Sequence, residues 1–149
     1  MKIKGYDHVG ICVNNLEESI DFYKNVMGFT VKVPPCPMLA EEEDGMSMLG
    51  EHGVTHRTCI MNVAEGHDLE LMEFGVPESP VEKPLPMNAV GTHHISYQVE
   101  DIDDCIKNLE VNNAECTYKK LAYDTDEGTA YWVLFKDPNG VIFELMQRP

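Results

Sequence analysis

His8-Val9-Gly10-Ile11-Cys12-Val13 near the start of the chain returns as His94-Ile95-Ser96-Tyr97-Gln98-Val99 in its second half. Both stretches place apolar residues at alternate positions, the period of a strand with one buried face. Both are followed by a helical pattern. After the first, Leu16, Ile20, Tyr23 and Met27 recur at helical spacing. Asn15 is placed to cap this helix and Gly28 to end it. After the second, Ile102 to Asn112 reads as a helix. A second match follows in each half: Leu69-Glu70-Leu71-Met72 pairs with Phe143-Glu144-Leu145-Met146, each just after a turn containing Gly66 or Gly140. An internal repeat of this kind decides architecture before any single motif does.

Between these anchors, Phe29 to Val33 reads as a strand stopped by Pro34-Pro35. Residues 34–55 read as a long acidic loop, and loops of that length in compact domains are commonly functional. Thr58 to Val63 and Asp68 to Phe74 read as strands, as do Cys116 to Lys119, Thr129 to Lys136 and Val141 to Met146. Residues 75–90 carry Pro77, Pro80, Pro84 and Pro86 and form the natural linker. The expectation is an α+β fold of two tandem βαβββ modules, residues 1–74 and 91–149, within one domain spanning 1–149.

The chain of 149 residues carries 26 acidic and 11 basic side chains, a formal charge of −15. A nucleic-acid binder needs a basic face, and an anionic membrane repels such a chain. Neither partner is expected. Apolar residues make up 43 %, enough to build a core and too many for a disordered acidic tail. No apolar run is long enough to span a bilayer, and the first residues show no apolar signal segment. The five cysteines form no CxxC pair and read as free thiols of a reducing cytoplasm.

The repeat places one His in each first strand and one Glu in each last strand: His8, Glu70, His94 and Glu144. Strand parity puts His8, Gly10 and Cys12 opposite the apolar face of Val9, Ile11 and Val13. It likewise selects His94 rather than His93, and sets Glu70 with Met72 and Glu144 with Met146. Two imidazoles and two carboxylates suit a divalent first-row ion, whether Zn, Ni, Co, Mn or Fe. The absence of thiolates argues against a purely structural zinc site. In an octahedral shell, four protein ligands leave two positions for substrate oxygens, and an adjacent carboxylate is placed to move a proton.

With these segments the chain resembles the vicinal oxygen chelate superfamily of glyoxalases, methylmalonyl-CoA epimerases, extradiol dioxygenases and bleomycin-resistance proteins. The resemblance runs from Asp7-His8-Val9-Gly10 to Asp137-Pro138-Asn139-Gly140-Val141-Ile142-Phe143-Glu144-Leu145. It implies paired modules forming a cupped mixed sheet with helices outside. It also implies His8, Glu70, His94 and Glu144 as the metal ligands, a small substrate with vicinal oxygens, and a homodimer. The reaction it implies is a glyoxalase-type lyase or isomerase step, with a proton removed next to a carbonyl and an enediolate or enolate formed. Glutathione-dependent members carry an Arg four residues after the first His and an Asn four after the first Glu; here Cys12 and Phe74 stand there. Epimerases carry a Glu before Gly-Val in the first module, and Glu51-His52-Gly53-Val54 offers Glu51 as that base, beside Glu144. An extradiol dioxygenase ranks lower, because Glu70 as a fourth ligand crowds the iron. A non-catalytic resistance-type binder is the remaining alternative.

The other polar residues have ordinary readings. His52 and His56 are expected at the surface, and Arg57 either binds a carboxylate ligand or forms a structural ion pair. Cys12 is expected as a small wall residue, Trp132, Tyr131 and Tyr97 as packing residues, and Glu41 to Asp44 as a solvated run.

Overall fold

The computed structural model describes residues 1–39, 49–50 and 52–149. Contacts divide the chain into two units, Met1–Glu82 and Lys83–Pro149, and the division falls inside the proline-rich stretch. In the first unit the elements are β1 (His8–Cys12), α1 (Leu16–Asp21), β2 (Thr30–Leu39), β3 (Thr55–Ala64) and β4 (His67–Val76). The second contains β5 (Ile95–Gln98), α2 (Ile102–Val111), β6 (Cys116–Thr125), β7 (Gly128–Lys136) and β8 (Ile142–Gln147). Each unit is a four-stranded mixed sheet, ordered β1-β4-β3-β2 in the first and β5-β8-β7-β6 in the second. The strand that opens each unit lies parallel to the strand that closes it, and the remaining pairs are antiparallel. The expected βαβββ order is present twice.

The apolar alternation goes where periodicity placed it. In the first unit Cys59, Met61, Leu69 and Leu71 are almost wholly buried, together with Leu16 and Tyr23 from the helical segment. The second unit repeats this with Val133, Phe135, Phe143 and Leu145 against Ile102 and Leu109 of α2. Each such side chain contributes about 1.5–3 kcal/mol by leaving water. The N-cap read from the sequence is present, with Asn15 accepting from the Glu18 amide; α2 has a cap the sequence reading did not name, Asp101, which accepts from the amides of Asp103 and Asp104. One helical face and one sheet face are therefore committed to packing. The opposite face of each sheet carries Glu70 in the first unit and Glu144 in the second.

Three readings change. The helix after Asn15 is not α throughout: from Phe22 to Val26 it widens into a π-helical turn, with the Met27 amide on the Phe22 carbonyl at 3.2 Å. The wider turn accompanies burial of two adjacent aromatics, Phe22 and Tyr23, whose rings meet edge to face at 5.3 Å. Next, β2 does not stop at Pro34-Pro35 but continues to Leu39, so residues 34–39, read as loop, are strand. Proline is tolerated there because β2 is the terminal strand of its sheet, where missing amides break few ladder bonds. Register shifts between Val31 and Val33 and between Val33 and Cys36 absorb the misfit. Finally, β6 extends from Cys116 to Thr125, well beyond the short strand read from the sequence, with its own register shifts against β7.

Arg57 belongs to the helix side. Its guanidinium donates to Glu17 at 2.7 and 2.9 Å and to Glu73 at 2.8 Å, tying α1 to β3 and β4. Of the two readings open for Arg57, this is the structural ion pair. Its hydrogen bonds hold the Glu17 carboxyl below the usual range. A carboxyl depressed in the folded state adds stability above its unfolded pKa and loses it as pH falls through the folded value. The gap between the urea midpoints of wild type and Glu17→Gln at pH 7 is therefore expected to shrink steadily as the pH is lowered below the usual carboxylate range. A gap that does not shrink contradicts this linkage.

Candidate functional site

The open face of the first sheet gathers polar groups around one carboxylate. β1 and β4 run parallel in a register that sets Gly10 beside Glu70 and Cys12 beside Met72. His8 and Glu70 then approach, with Nε2 and Oε2 3.2 Å apart. On the far side of the ring, Nδ1 meets the Asp7 carboxylate at 2.8 Å. That contact turns Nε2 toward Glu70, the arrangement by which a carboxylate orients a ligating imidazole. The Asp7 hydrogen bond raises the His8 pKa, desolvation opposes it, and the Glu70 charge adds to the rise. Glu70 is held on its other oxygen: the Thr58 hydroxyl donates to Oε1 at 2.9 Å. Gly10 matters through its size. A Cβ there would lie 3.0 Å from the Met72 methyl and 3.6 Å from Glu70 Oε2, so glycine leaves room for the carboxylate over β1.

The second unit repeats the pair. β5 and β8 run parallel with Ser96 beside Glu144, the counterpart of Gly10 beside Glu70. His94 Nε2 and Glu144 Oε2 are 3.6 Å apart. The surroundings differ in one respect. Thr58 pairs with Met72 in the first sheet, whereas Trp132 pairs with Met146 at the equivalent place in the second. Trp132 stacks on Tyr118 at 5.3 Å and has no hydroxyl to give. Among the described residues, Glu144 has no counterpart of the hydroxyl that restrains Glu70.

All four histidine and glutamate side chains keep part of their surface open, from 15 % for Glu144 to 40 % for His8. Two cis ligands bound to one ion at about 2.1 Å are separated by about 3.0 Å. The 3.2 Å spacing of His8 and Glu70 is close to that separation, and the 3.6 Å spacing of His94 and Glu144 is wider. The donor set of imidazole and carboxylate fits a divalent ion. Among the described residues there are pairs, with no group of three or more His, Cys, Asp or Glu gathered as for a metal.

The remaining sequence candidates separate clearly. Glu51 lies outside the described residues. His93 and His52 are exposed, as expected of the latter. His56 departs from expectation, being half-buried with its ring stacked on Phe74 at 5.1 Å. Cys12 lies on the Glu70 side of β1, and burial and the Glu70 charge push its thiol up, away from nucleophilic character. All five cysteines are free thiols. No helix among the described residues is long and apolar enough to cross a membrane.

Sequence reasoning overlooked Asp7 and Thr58. A carboxylate directly before the first His was a visible signal for the former. For Thr58 the signal was parity, since Thr58, Ile60 and Asn62 alternate with the buried Cys59 and Met61 and so share the face of Glu70.

A family model of the glyoxalase/bleomycin resistance protein/dioxygenase superfamily matches residues 5–145. The chain belongs to this superfamily. A mitochondrial methylmalonyl-CoA epimerase from Dictyostelium discoideum is 32 % identical over 143 residues, 95 % of this chain and 77 % of that protein. A 2-epi-5-epi-valiolone epimerase from an Actinomyces species is 25 % identical over 145 residues, 95 % of this chain and 78 % of that protein. Among solved structures, a glyoxalase family protein from Bacillus cereus superposes with a TM-score of 0.84 at 22 % identity, covering 99 % of this chain and 95 % of that one. The two-module α+β fold is therefore that of the glyoxalase superfamily, and the relatives at this level of identity include epimerases.

Proposed function

We propose that the protein is a divalent-metal-dependent isomerase or lyase of the glyoxalase type, moving a proton next to a carbonyl on a small substrate with vicinal oxygens. Epimerisation is the form favoured within that class. The observation that carries the reading is the duplicated pair: an imidazole and a carboxylate on matched strands of both sheets, with the same Nε2 and Oε2 atoms facing each other. Epimerases among the relatives support the choice. So do Cys12 and Phe74, which replace the arginine and asparagine expected of a glutathione-dependent member.

In this reading His8, Glu70, His94 and Glu144 hold the ion, with Zn, Ni, Co, Mn and Fe all compatible with the donors. The bound ion supplies Lewis acidity toward the negative charge that develops on the substrate oxygens. Asp7 fixes the ring of His8, and Thr58 restrains Glu70 as a stationary ligand. Glu144, without such a hydroxyl, is free to take the proton from the carbon next to the carbonyl, giving an enediolate or enolate. Return of a proton from the opposite side inverts the centre, a role for which Glu51 is the sequence candidate. A homodimer in the cytoplasm is part of the same reading.

Metal analysis of protein purified without added metal tests this directly. Wild type is expected to hold about one transition-metal ion per chain, and His94→Ala and Glu144→Ala to lose it. Wild type that takes up no metal even on reconstitution overturns the proposal and leaves a ligand-binding protein of the same fold.

A further inference from the structure

The two histidine–glutamate pairs are alike in the atoms that face each other and unlike behind them. In the first unit each side chain is gripped on its other polar atom. The Asp7 carboxylate meets His8 Nδ1 at 2.8 Å, and the Thr58 hydroxyl donates to Glu70 Oε1 at 2.9 Å. Nε2 and Oε2 are left turned toward each other, 3.2 Å apart. In the second unit His93 precedes His94, and the register puts Trp132 where Thr58 stands. Neither residue supplies a carboxylate or a hydroxyl, and the pair there is wider, at 3.6 Å.

This difference bears on how tightly each pair holds a cation. An imidazole ligates only as the neutral ring, with one nitrogen bare and the proton on the other. A carboxylate at Nδ1 places that proton there and leaves Nε2 bare. A ring without such a partner still has to settle its tautomer and its rotamer when it binds, and that ordering opposes binding. The same holds for a glutamate with neither oxygen restrained. Partners of this outer kind contribute about 10- to 100-fold to metal affinity. Asp7 is exposed to water, which puts its share at the lower end, about tenfold. Thr58 is buried, so its hydroxyl is better shielded from competing water.

We propose that Asp7 and Thr58 are positioning residues that make the first unit the anchor of the ion, with His94 and Glu144 its weaker and exchangeable half. This deepens the functional proposal and rests on it for the four ligands. It also gives Glu144 the looseness that a carboxylate needs if it is to leave the ion and take a proton.

The experiment uses the full-length chain, stripped of metal, with zinc affinity measured by competition against a chromophoric chelator. Asp7→Ala and Thr58→Val are each expected to weaken zinc binding about tenfold. Asp7→Asn keeps an acceptor and Thr58→Ser keeps a hydroxyl, and both are expected to recover most of the loss. Thr58→Ala takes the place of Thr58→Val if the latter does not fold. His8→Ala is expected to cost about tenfold more affinity than His94→Ala, the share that Asp7 adds. In the His8→Ala background, Asp7→Ala is expected to cost nothing further, because no ring is left to position. Equal losses in His8→Ala and His94→Ala overturn the anchor and leave the four-ligand reading standing. So does an Asp7→Ala cost that persists in the His8→Ala background. Undiminished affinity in both His94→Ala and Glu144→Ala upholds the anchor and overturns the four-ligand reading. Wild type that binds no zinc overturns both.

Discussion

Replacing Glu144 by Gln is expected to slow substrate proton exchange by about 10²- to 10⁴-fold, the usual contribution of a positioned general base. The amide keeps the shape and an oxygen donor but cannot accept the proton. The measurement is exchange of the carbon-bound proton with deuterated solvent, on protein reconstituted with metal and assayed for metal content in the same sample. Glu70→Gln is the comparison. Its side chain is held by the Thr58 hydroxyl at 2.9 Å, and its loss is expected to weaken metal retention more than exchange per bound metal. The two glutamates thus separate by readout although they occupy equivalent places in the repeat. Exchange in Glu144→Gln within about threefold of wild type, at equal metal content, removes Glu144 as the base.

Phe143→Ala is expected to cost about 3–5 kcal/mol, the range for a truncated core phenylalanine. Phe143 is 1 % exposed and stacks on Phe135, with ring centroids 6.1 Å apart. In a chain of this size the loss lowers the melting temperature by on the order of 10 °C. Its neighbour Glu144 points to the other face of β8, so the variant separates stability from chemistry. Below its melting temperature the metal content is expected to match wild type. Met146→Leu, a volume-conserving change on the Glu144 side, is expected to cost less than about 1.5 kcal/mol. Urea unfolding of the three proteins followed by circular dichroism decides. A Phe143→Ala midpoint close to wild type indicates that the cavity collapses and that the core of the second unit is less closely packed than the burial implies.

Much of this architecture was readable because the chain states it twice. Val9-Gly10-Ile11 and Ile95-Ser96-Tyr97 carry the same alternation, and parity alone separated His94 from His93. The bond lengths of chemistry do not follow from parity. That His8 turns Nε2 to Glu70 depends on Asp7, a neighbour whose role is local and outside any period. Thr58 was hidden among ordinary strand residues because a hydroxyl has no signature until its partner is known. The extent of β2 was misjudged for a different reason. Proline disqualifies a central strand but not a terminal one, and position within the sheet is a property of the whole topology. His56 was read as a surface residue because histidine at a strand start is usually wet; only the ring of Phe74 opposite it shows otherwise.

The course of β2 through Pro34, Pro35 and Pro37 bears on how the protein behaves at high concentration. A terminal strand ordinarily offers a row of free amides and carbonyls to any other extended chain. Here three positions have no amide to offer, and the two register shifts break the straight line that a visiting strand would need. In the second unit one of the two terminal strands, β6, carries Lys119 and Lys120 instead. Both β2 and β6 are thus poor templates for fibrous growth. In β2 that protection comes from the same prolines that made the strand hard to recognise.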